Sequence, residues 1–497
     1  MSAIERQNTW ETVPQKGFLS HPKGLFTLFF TEFWERFSYY GMRAILVFYM
    51  YYEVSKGGLG LSQSTALSIM SIYGSLVYMS GIIGGWIADR ILGTSKAVFY
   101  GGVLIMFGHI ALAVPGSFSL FVLSMVLIVL GTGLLKPNVS SMVGDIYAPH
   151  DNRRDAGFSI FYMGINLGAF IAPLIVGEVG MKHSFHLGFS IAAVGMFIGL
   201  IVFVVTRKNY LGKAGTYVAN PLKPEEKKKV FSIIGIGFVV LSLLILLTIK
   251  TGYLTFDRFV AVVGILGILI PVCYFIVMYK SPKTTSVERS RLLAYIPLFI
   301  ASVMFWAIQE QGSSILANYA DTRTRLEFAG FRISPAWFQS LNPLFIITLA
   351  PVFAGLWIKL GDRQPSIPRK FSFGILFAGL SFIVILLPAY LGGTDSLVNP
   401  LWLVLSYFVC VLGELCLSPV GLSATTKLAP KAFSAQTMSL WFLSNAAAQA
   451  INAQIVKFYS PDTEMLYFGT IGAIAIILGV LLFMIAPTIE KYMQGIR

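Results

Sequence analysis

Residues 31–43 read TEFWERFSYYGMR and open an apolar run that continues through AILVFYMYY to Tyr52. Glu32, Glu35, Arg36 and Arg43 stand in a segment otherwise suited to lipid. At about 100° per residue, Glu32, Glu35, Arg36, Tyr39, Tyr40 and Arg43 share one side of a helix, in a stripe about 16 Å long. Phe33, Phe37 and Leu46 occupy the opposite face. Lipid would cost about 3 kcal/mol for each central charge, so the stripe requires a protein interior or water. Snorkelling at a helix end explains Glu32 but not Arg43, midway along the run.

The rest of the chain shows that the run is one of many. The 497 residues are 56% hydrophobic and 12% charged, with 40 Phe. Soluble domains carry roughly twice that share of charge, and no soluble interior hides so much apolar surface. An all-α polytopic membrane protein follows. Residues 1–24 are polar, so the first membrane helix is expected to direct its own insertion. Cys273, Cys410 and Cys416 are odd in number and sit in apolar runs. They read as small buried hydrophobes rather than a disulfide or metal framework.

Apolar windows fall near 25–52, 64–88, 97–113, 117–143, 157–177, 187–206, 230–249, 259–279, 292–316, 337–358, 371–391, 400–425, 435–456 and 465–487, fourteen in all. Alternating sides from the N-terminus puts 26 Lys and Arg on the N-terminal side and 8 on the other, with three of the 37 inside spans. That bias predicts an even span count with both termini cytoplasmic. It also explains the net charge of +14 without nucleic acid. The richest segment, 207–229, RKNYLGKAGTYVANPLKPEEKKK, reads as a positive-inside anchor. An echo divides the chain: GGWIADRILG (84–93) follows the second span and GLWIKLGDRQP (355–365) the tenth. If spans seven and eight are an inserted hairpin, the tenth span is the second helix of a second six-helix half, the plan of parallel-repeat transporters.

Four more polar groups lie inside spans: Lys136 in GTGLLKPNVS, Asn166 in FYMGINLGAF, Glu310 in FWAIQEQGSS and Glu414 in VLGELCLSP. Intramembrane ionisable groups mark transport pathways, though a structural ion pair is the competing reading for Lys136 or Glu414 alone. Glu32, Glu35, Glu310 and Glu414 oppose Arg36, Arg43 and Lys136. This leaves one excess negative charge, which points to one bound proton as the coupled ion. Enzyme signatures are missing: there is no H-E-x-x-H pattern, no nucleophile elbow and no P-loop. Among His21, His109, His150, His183 and His186, only His109 falls inside a span, where it reads as a hydrogen-bonded packing residue.

TEFWERFSYYG resembles the E-x-x-E-R-F-x-Y-Y-G signature of the proton-dependent oligopeptide transporters, a family of the major facilitator superfamily. GGWIADRILGTSKAVFYGG and FYMGINLGAF are similar to its two other signatures, and GLLKPN and GELCLSPVGLS to its lysine and glutamate segments. The resemblance spans the whole chain. It implies a major facilitator fold of two six-helix bundles, 1–206 and 289–497, around a linker with an inserted hairpin, 207–288. It implies proton-gradient-driven uptake of di- and tripeptides, and of peptide-like drugs, through the cytoplasmic membrane by a monomer without cofactor or metal.

By motif match, Glu32, Glu35, Arg36, Lys136 and Glu310 would couple and gate the proton. Arg43 and Lys136 would hold the peptide carboxylate, and Glu414, Asn166 and Asn342 its amino end. Tyr39, Tyr40, Tyr78, Trp306 and Trp441 would line the site. A Lys136–Glu310 bridge would trade partners as protons bind. The chain departs from some relatives by having Gln309-Glu310 where they carry paired acids. The residue chemistry fits the same substrate: a zwitterion needs a cation at one end and an anion at the other, and Arg offers a planar fork to a carboxylate. Two rivals share the architecture, an importer of another small solute such as nitrate and a proton-coupled exporter of cationic drugs. The exporter has no need of Arg43 and Lys136 facing its cavity.

Overall fold

A backbone in lipid must satisfy its own N–H and C=O groups, which an apolar run does by coiling into a helix. The computed structural model describes residues 9–496 other than 117, 149, 150, 152, 219, 254, 329 and 395, so His150 lies outside the described residues. Every predicted window falls on a long helix. The fourteen long helices are α1 (Gly24–Tyr51), α2 (Gln63–Ile87), α3 (Thr94–Ala113), α4 (Phe118–Asp145), α5 (Arg154–Ala172), α6 (Phe185–Thr206), α7 (Pro224–Lys250), α8 (Phe256–Lys280), α9 (Ser286–Gln309), α10 (Leu341–Leu360), α11 (Ile367–Gly392), α12 (Leu401–Leu428), α13 (Ser434–Ile455) and α14 (Glu464–Tyr492). Twelve of the runs are apolar enough to cross a membrane by composition alone. The other two are α1, with its charges, and α13, with its amides and hydroxyls.

Several runs continue past their windows, as α2 and α6 do through π turns at Ala88–Leu92 and Arg207–Leu211, and one breaks. α5 continues through a wide π turn, Pro173–Gly177, and ends at Lys182, because Pro173 lacks the N–H that the α pattern needs. The window at 292–316 is broken. α9 stops at Gln309, Glu310–Ser313 tighten into a 3-10 turn, and a second helical piece runs Ile315–Thr322. Gly312, Ser313 and Ser314 favour helix poorly, and the Tyr407 hydroxyl donates to the freed Gly312 carbonyl at 3.0 Å.

In the first half, α1 packs on α5 and α6, α2 on α4, and α3 on α4 and α6. In the second half, α9 packs on α13 and α14, α10 on α12, and α11 on α12 and α14. The second pattern is the first with every helix moved on by eight places, as a parallel repeat of six helices separated by two requires. The repeat extends to detail. A side chain at Gly101 would sit 2.7 Å from the Gly131 carbonyl oxygen, and one at Gly413 2.5 Å from that of Gly374, so α3–α4 and α11–α12 both pack backbone on backbone. Two cross-contacts, α2–α13 and α5–α10, join the halves and exchange under the same operation.

Hydrogen bonds between the bundles cluster from mid-height to the end away from the termini. Ser68 and Ser75 of α2 donate to the Ala453 and Ala446 carbonyls of α13, each at 2.9 Å. Ser340 donates to the Phe170 carbonyl at 2.8 Å, and Gln339 to that of Ala44 at 3.2 Å. At the far mouth, Tyr51 and Tyr52 both donate to Asp321, at 2.6 and 2.9 Å. At the opposite end, Asn220–Leu222 lie against the α2–α3 turn, where the amides of Asn220 and Leu222 donate to the Asp89 and Arg90 carbonyls. α8 rests on α2 and α13, whereas no described residue in the apolar stretch of α7 is buried.

Two expectations need correction. Cys410 and Cys416 are buried, but Cys273 is exposed because α8 packs along one side only. His109 is fully buried, as a packing residue should be, yet neither ring nitrogen has a hydrogen-bond partner.

Candidate functional site

The polar stripe of α1 faces protein, as its cost in lipid demands. Glu32, Glu35, Arg36, Tyr39 and Arg43 are buried and Tyr40 partly so. Three of them form one ion-paired group within two helical turns, with two carboxylates on a single guanidinium. Arg36 grips Glu35 with two nitrogens, Nη2 donating to Oε1 at 2.7 Å and Nε to Oε2, and Nε also lies 3.1 Å from Glu32 Oε1. Glu32 Oε2 is left without a hydrogen bond. The Tyr39 ring separates Arg36 from Arg43, whose guanidinium centres lie 5.1 and 5.9 Å from its centroid.

Arg43 reaches out of the first bundle. Its Nη2 donates to Glu310 Oε2, joining α1 to the 3-10 turn that interrupts the ninth span, while its Nε has no partner. Glu310 accepts three further hydrogen bonds: from Asn445 Nδ2 at 3.0 Å, Gln449 Nε2 at 2.7 Å and the Tyr78 hydroxyl at 3.4 Å. The break in the helix is what turns this carboxylate towards the other bundle. The anticipated Lys136–Glu310 bridge is not formed, because Arg43 takes that place. Lys136 instead lies partly buried 4.4 Å from the centre of the Tyr78 ring, with no carboxylate in ion-pair contact among the described residues.

Glu414 is buried in α12, with no cation in ion-pair contact among the described residues. It accepts from Asn342 Nδ2 at 2.9 Å and Gln309 Nε2 at 3.4 Å. Asn342 thus joins Glu414 as expected. Asn166 does not, since its amide donates to the Tyr162 carbonyl of its own helix at 3.0 Å. Trp306 is partly buried with its ring 5.2 Å from Phe305. Trp441 is buried inside the second bundle, 6.3 Å from the Phe371 ring, where a side chain on Gly421 would collide with it.

The arrangement is polarised. The first bundle presents cations with unused capacity, Lys136 and the free edge of Arg43. The second presents Glu414, an anion held only by neutral amides. A small zwitterion between the bundles would meet an opposite charge at each end. Sequence reasoning missed Asn445 and Gln449. Their signal was present as WFLSNAAAQAINAQ, where Asn445, Gln449 and Asn452 recur at helical spacing in an otherwise apolar run.

Known proteins share this sequence and fold. The model of the POT family matches residues 95–478. A di-/tripeptide transporter of Lactococcus lactis subsp. cremoris is 47% identical over 490 residues, covering 97% of this chain and 99% of its own. A crystal structure of peptide transporter POT in complex with sulfate has 72% identity and a TM-score of 0.97, over 99% of this chain and 100% of the other. An E310Q mutant in complex with alafosfalin has 71% identity and a TM-score of 0.96 over the same shares.

Proposed function

The chain belongs to the POT family, and from that premise we propose how its two bundles divide the work of proton-coupled di- and tripeptide uptake. It is a transporter, not an enzyme. Residues 1–206 and 289–497 act as the two rocking bodies, with 207–288 as a linker carrying the hairpin. The protein lies in the cytoplasmic membrane with both termini in the cytoplasm, a reading supported by the 26-to-8 division of Lys and Arg. The bonds joining the bundles lie away from the termini, so the conformation described is closed to the outside.

The observation that carries the mechanism is the Arg43–Glu310 pair across the bundles, with Lys136 left free on one side and Glu414 on the other. A proton on Glu310 removes the charge that holds Arg43. Arg43 then joins Lys136 in binding the peptide carboxylate, while Glu414 and Asn342 take the ammonium and Asn166 turns from its own helix to the peptide amide. Tyr39, Tyr40, Tyr78, Trp306 and Trp441 supply permissive walls for the side chains. Glu32, Glu35 and Arg36, two carboxylates on one guanidinium, offer the next acceptor when the proton leaves Glu310. Recognition confined to backbone and termini admits peptide-like drugs as well. Drive comes from the proton gradient, with no cofactor, and a monomer contains every part.

The test uses purified protein in liposomes with an acidic exterior. Dialanine should accumulate and acidify the lumen, with di- and tripeptides competing. Peptide entry without proton movement would refute the coupling, and competition by cationic dyes rather than peptides would favour an exporter.

A further inference from the structure

Glu310 is held from two sides by different chemistry. Arg43 is a charge from the first bundle. Asn445 and Gln449, one helical turn apart on α13, are neutral amides that donate one bond to each oxygen, at 3.0 and 2.7 Å. Gln449 also has a neighbour across the bundle interface. Gly74 of α2 lies so close that a methyl group there would come within 2.5 Å of Gln449 Nε2, the nitrogen that bonds Glu310. The hydroxyl next to it in sequence, Ser75, is bonded to the Ala446 carbonyl at 2.9 Å. The amide of Gln449 thus lies between the backbone of one bundle and the carboxylate of the other.

We infer that Gln449, with Asn445, is a positioning residue for the proton step, and that Gly74 is small so that the α2–α13 contact can set how firmly Gln449 holds Glu310. An N–H donor binds a carboxylate better than it binds the acid, so each amide favours the ionised form. When the bundles rock, α2 moves against α13, the Gln449 bond loosens or tightens, and the proton affinity of Glu310 changes with it. Conformation and proton occupancy are then linked through an uncharged group, independently of Arg43. The ionisable groups facing Glu310 are Arg43, Tyr39 and Tyr40 from α1, Tyr78 from α2, Lys136 from α4 and Glu414 from α12. None is changed by substituting Gln449 or Gly74.

This inference rests on Glu310 taking the coupled proton. The experiment measures dialanine uptake against external pH, and peptide exchange at equal pH, in proteoliposomes. Gln449→Leu should move the midpoint of acid-dependent uptake about one pH unit towards alkaline, as loss of one hydrogen bond to a charge implies. It should slow net uptake, which requires the proton to leave, and spare exchange, which does not. Gly74→Ala, which displaces the amide without removing it, should do the same, and the double variant should shift no further than either single one.

An unchanged midpoint in both folded single variants, an additive double shift, or equal losses of uptake and exchange would overturn the inference. Glu310→Gln separates the premise. If that variant still accumulates peptide with normal pH dependence, the assignment of Glu310 fails. If it does not, while Gln449→Leu and Gly74→Ala leave the midpoint in place, only the role of the α13 amides fails.

Discussion

Two of the buried arginine–glutamate pairs, one within a bundle and one between bundles, are finished to different degrees. Arg323–Glu464 lies within the second bundle. Arg323 Nε donates to Oε2 at 2.7 Å and Nη2 to Oε1 at 3.2 Å, and the remaining donors reach the Ser396 and Gly393 carbonyls. Arg43–Glu310 crosses between bundles through one guanidinium nitrogen and leaves Nε idle. The first pair uses both edges of its fork and fastens the far cap of one body. The second keeps donors in reserve on the arginine and has neutral substitutes beside the glutamate, so either partner can leave without being stranded. If Arg43–Glu310 is the switch proposed above, burial and charge alone do not separate it from a fastening, and the count of satisfied donors does.

The sharpest test sets one pair against the other. Glu464→Gln should destabilise the solubilised protein by about 3–5 kcal/mol, the cost of leaving a buried arginine without its counter-ion, read as a fall in thermal midpoint. Glu310→Gln should cost much less stability and abolish proton-driven accumulation instead. Equal thermal losses would erase the distinction. Next in size, Glu414→Ala should weaken peptide uptake at least about 30-fold, within the about 2–5 kcal/mol typical of truncating one side of a charge pair, with little thermal change. A normal half-saturation concentration would remove Glu414 from the site.

At the far mouth, Tyr51→Phe and Tyr52→Phe each remove one bond to Asp321 worth about 1 kcal/mol. Each should shift the balance roughly fivefold towards far-side opening, read as spin-label distances between α1 and α9; unchanged distances would rule the latch out.

The smallest effect concerns His21, which bonds the Tyr147 hydroxyl at 2.9 Å. Burial, and then the charge of Arg153, hold its imidazole below its ordinary value of 6.5. The folded protein therefore binds fewer protons there than the unfolded chain does. Its contribution to stability is complete above about pH 6.5 and declines below it. His21→Gln should flatten the acid loss of thermal stability by under about 1 kcal/mol, and a steeper loss would reverse the sign.

Much of this was legible in the sequence. Lipid makes a buried charge conspicuous, so Glu32, Glu35, Arg36, Arg43, Lys136, Glu310 and Glu414 stood out, and the span count with the Trp-Ile…Asp-Arg echo revealed the doubled half. Neutral groups were harder to read. Asn445 and Gln449 cost too little in a helix to stand out from an alanine-rich run. The partners of Arg323 and Asp321 lie 141 and about 270 residues away, a separation that local periodicity cannot bridge. Nor could a pattern of charges say whether Glu310 faces Lys136 or Arg43. That choice is made by a 3-10 turn of four residues, Glu310–Ser313.

The α2–α13 contact has one more consequence. Its fasteners are serine hydroxyls on backbone carbonyls, Ser68 to Ala453 and Ser75 to Ala446, and none carries a formal charge. Membrane voltage exerts no force on such a joint, and neither acid nor salt can undo it. As far as those two bonds go, the joint is therefore the same in an energised cell and a de-energised one, and only the load it carries differs.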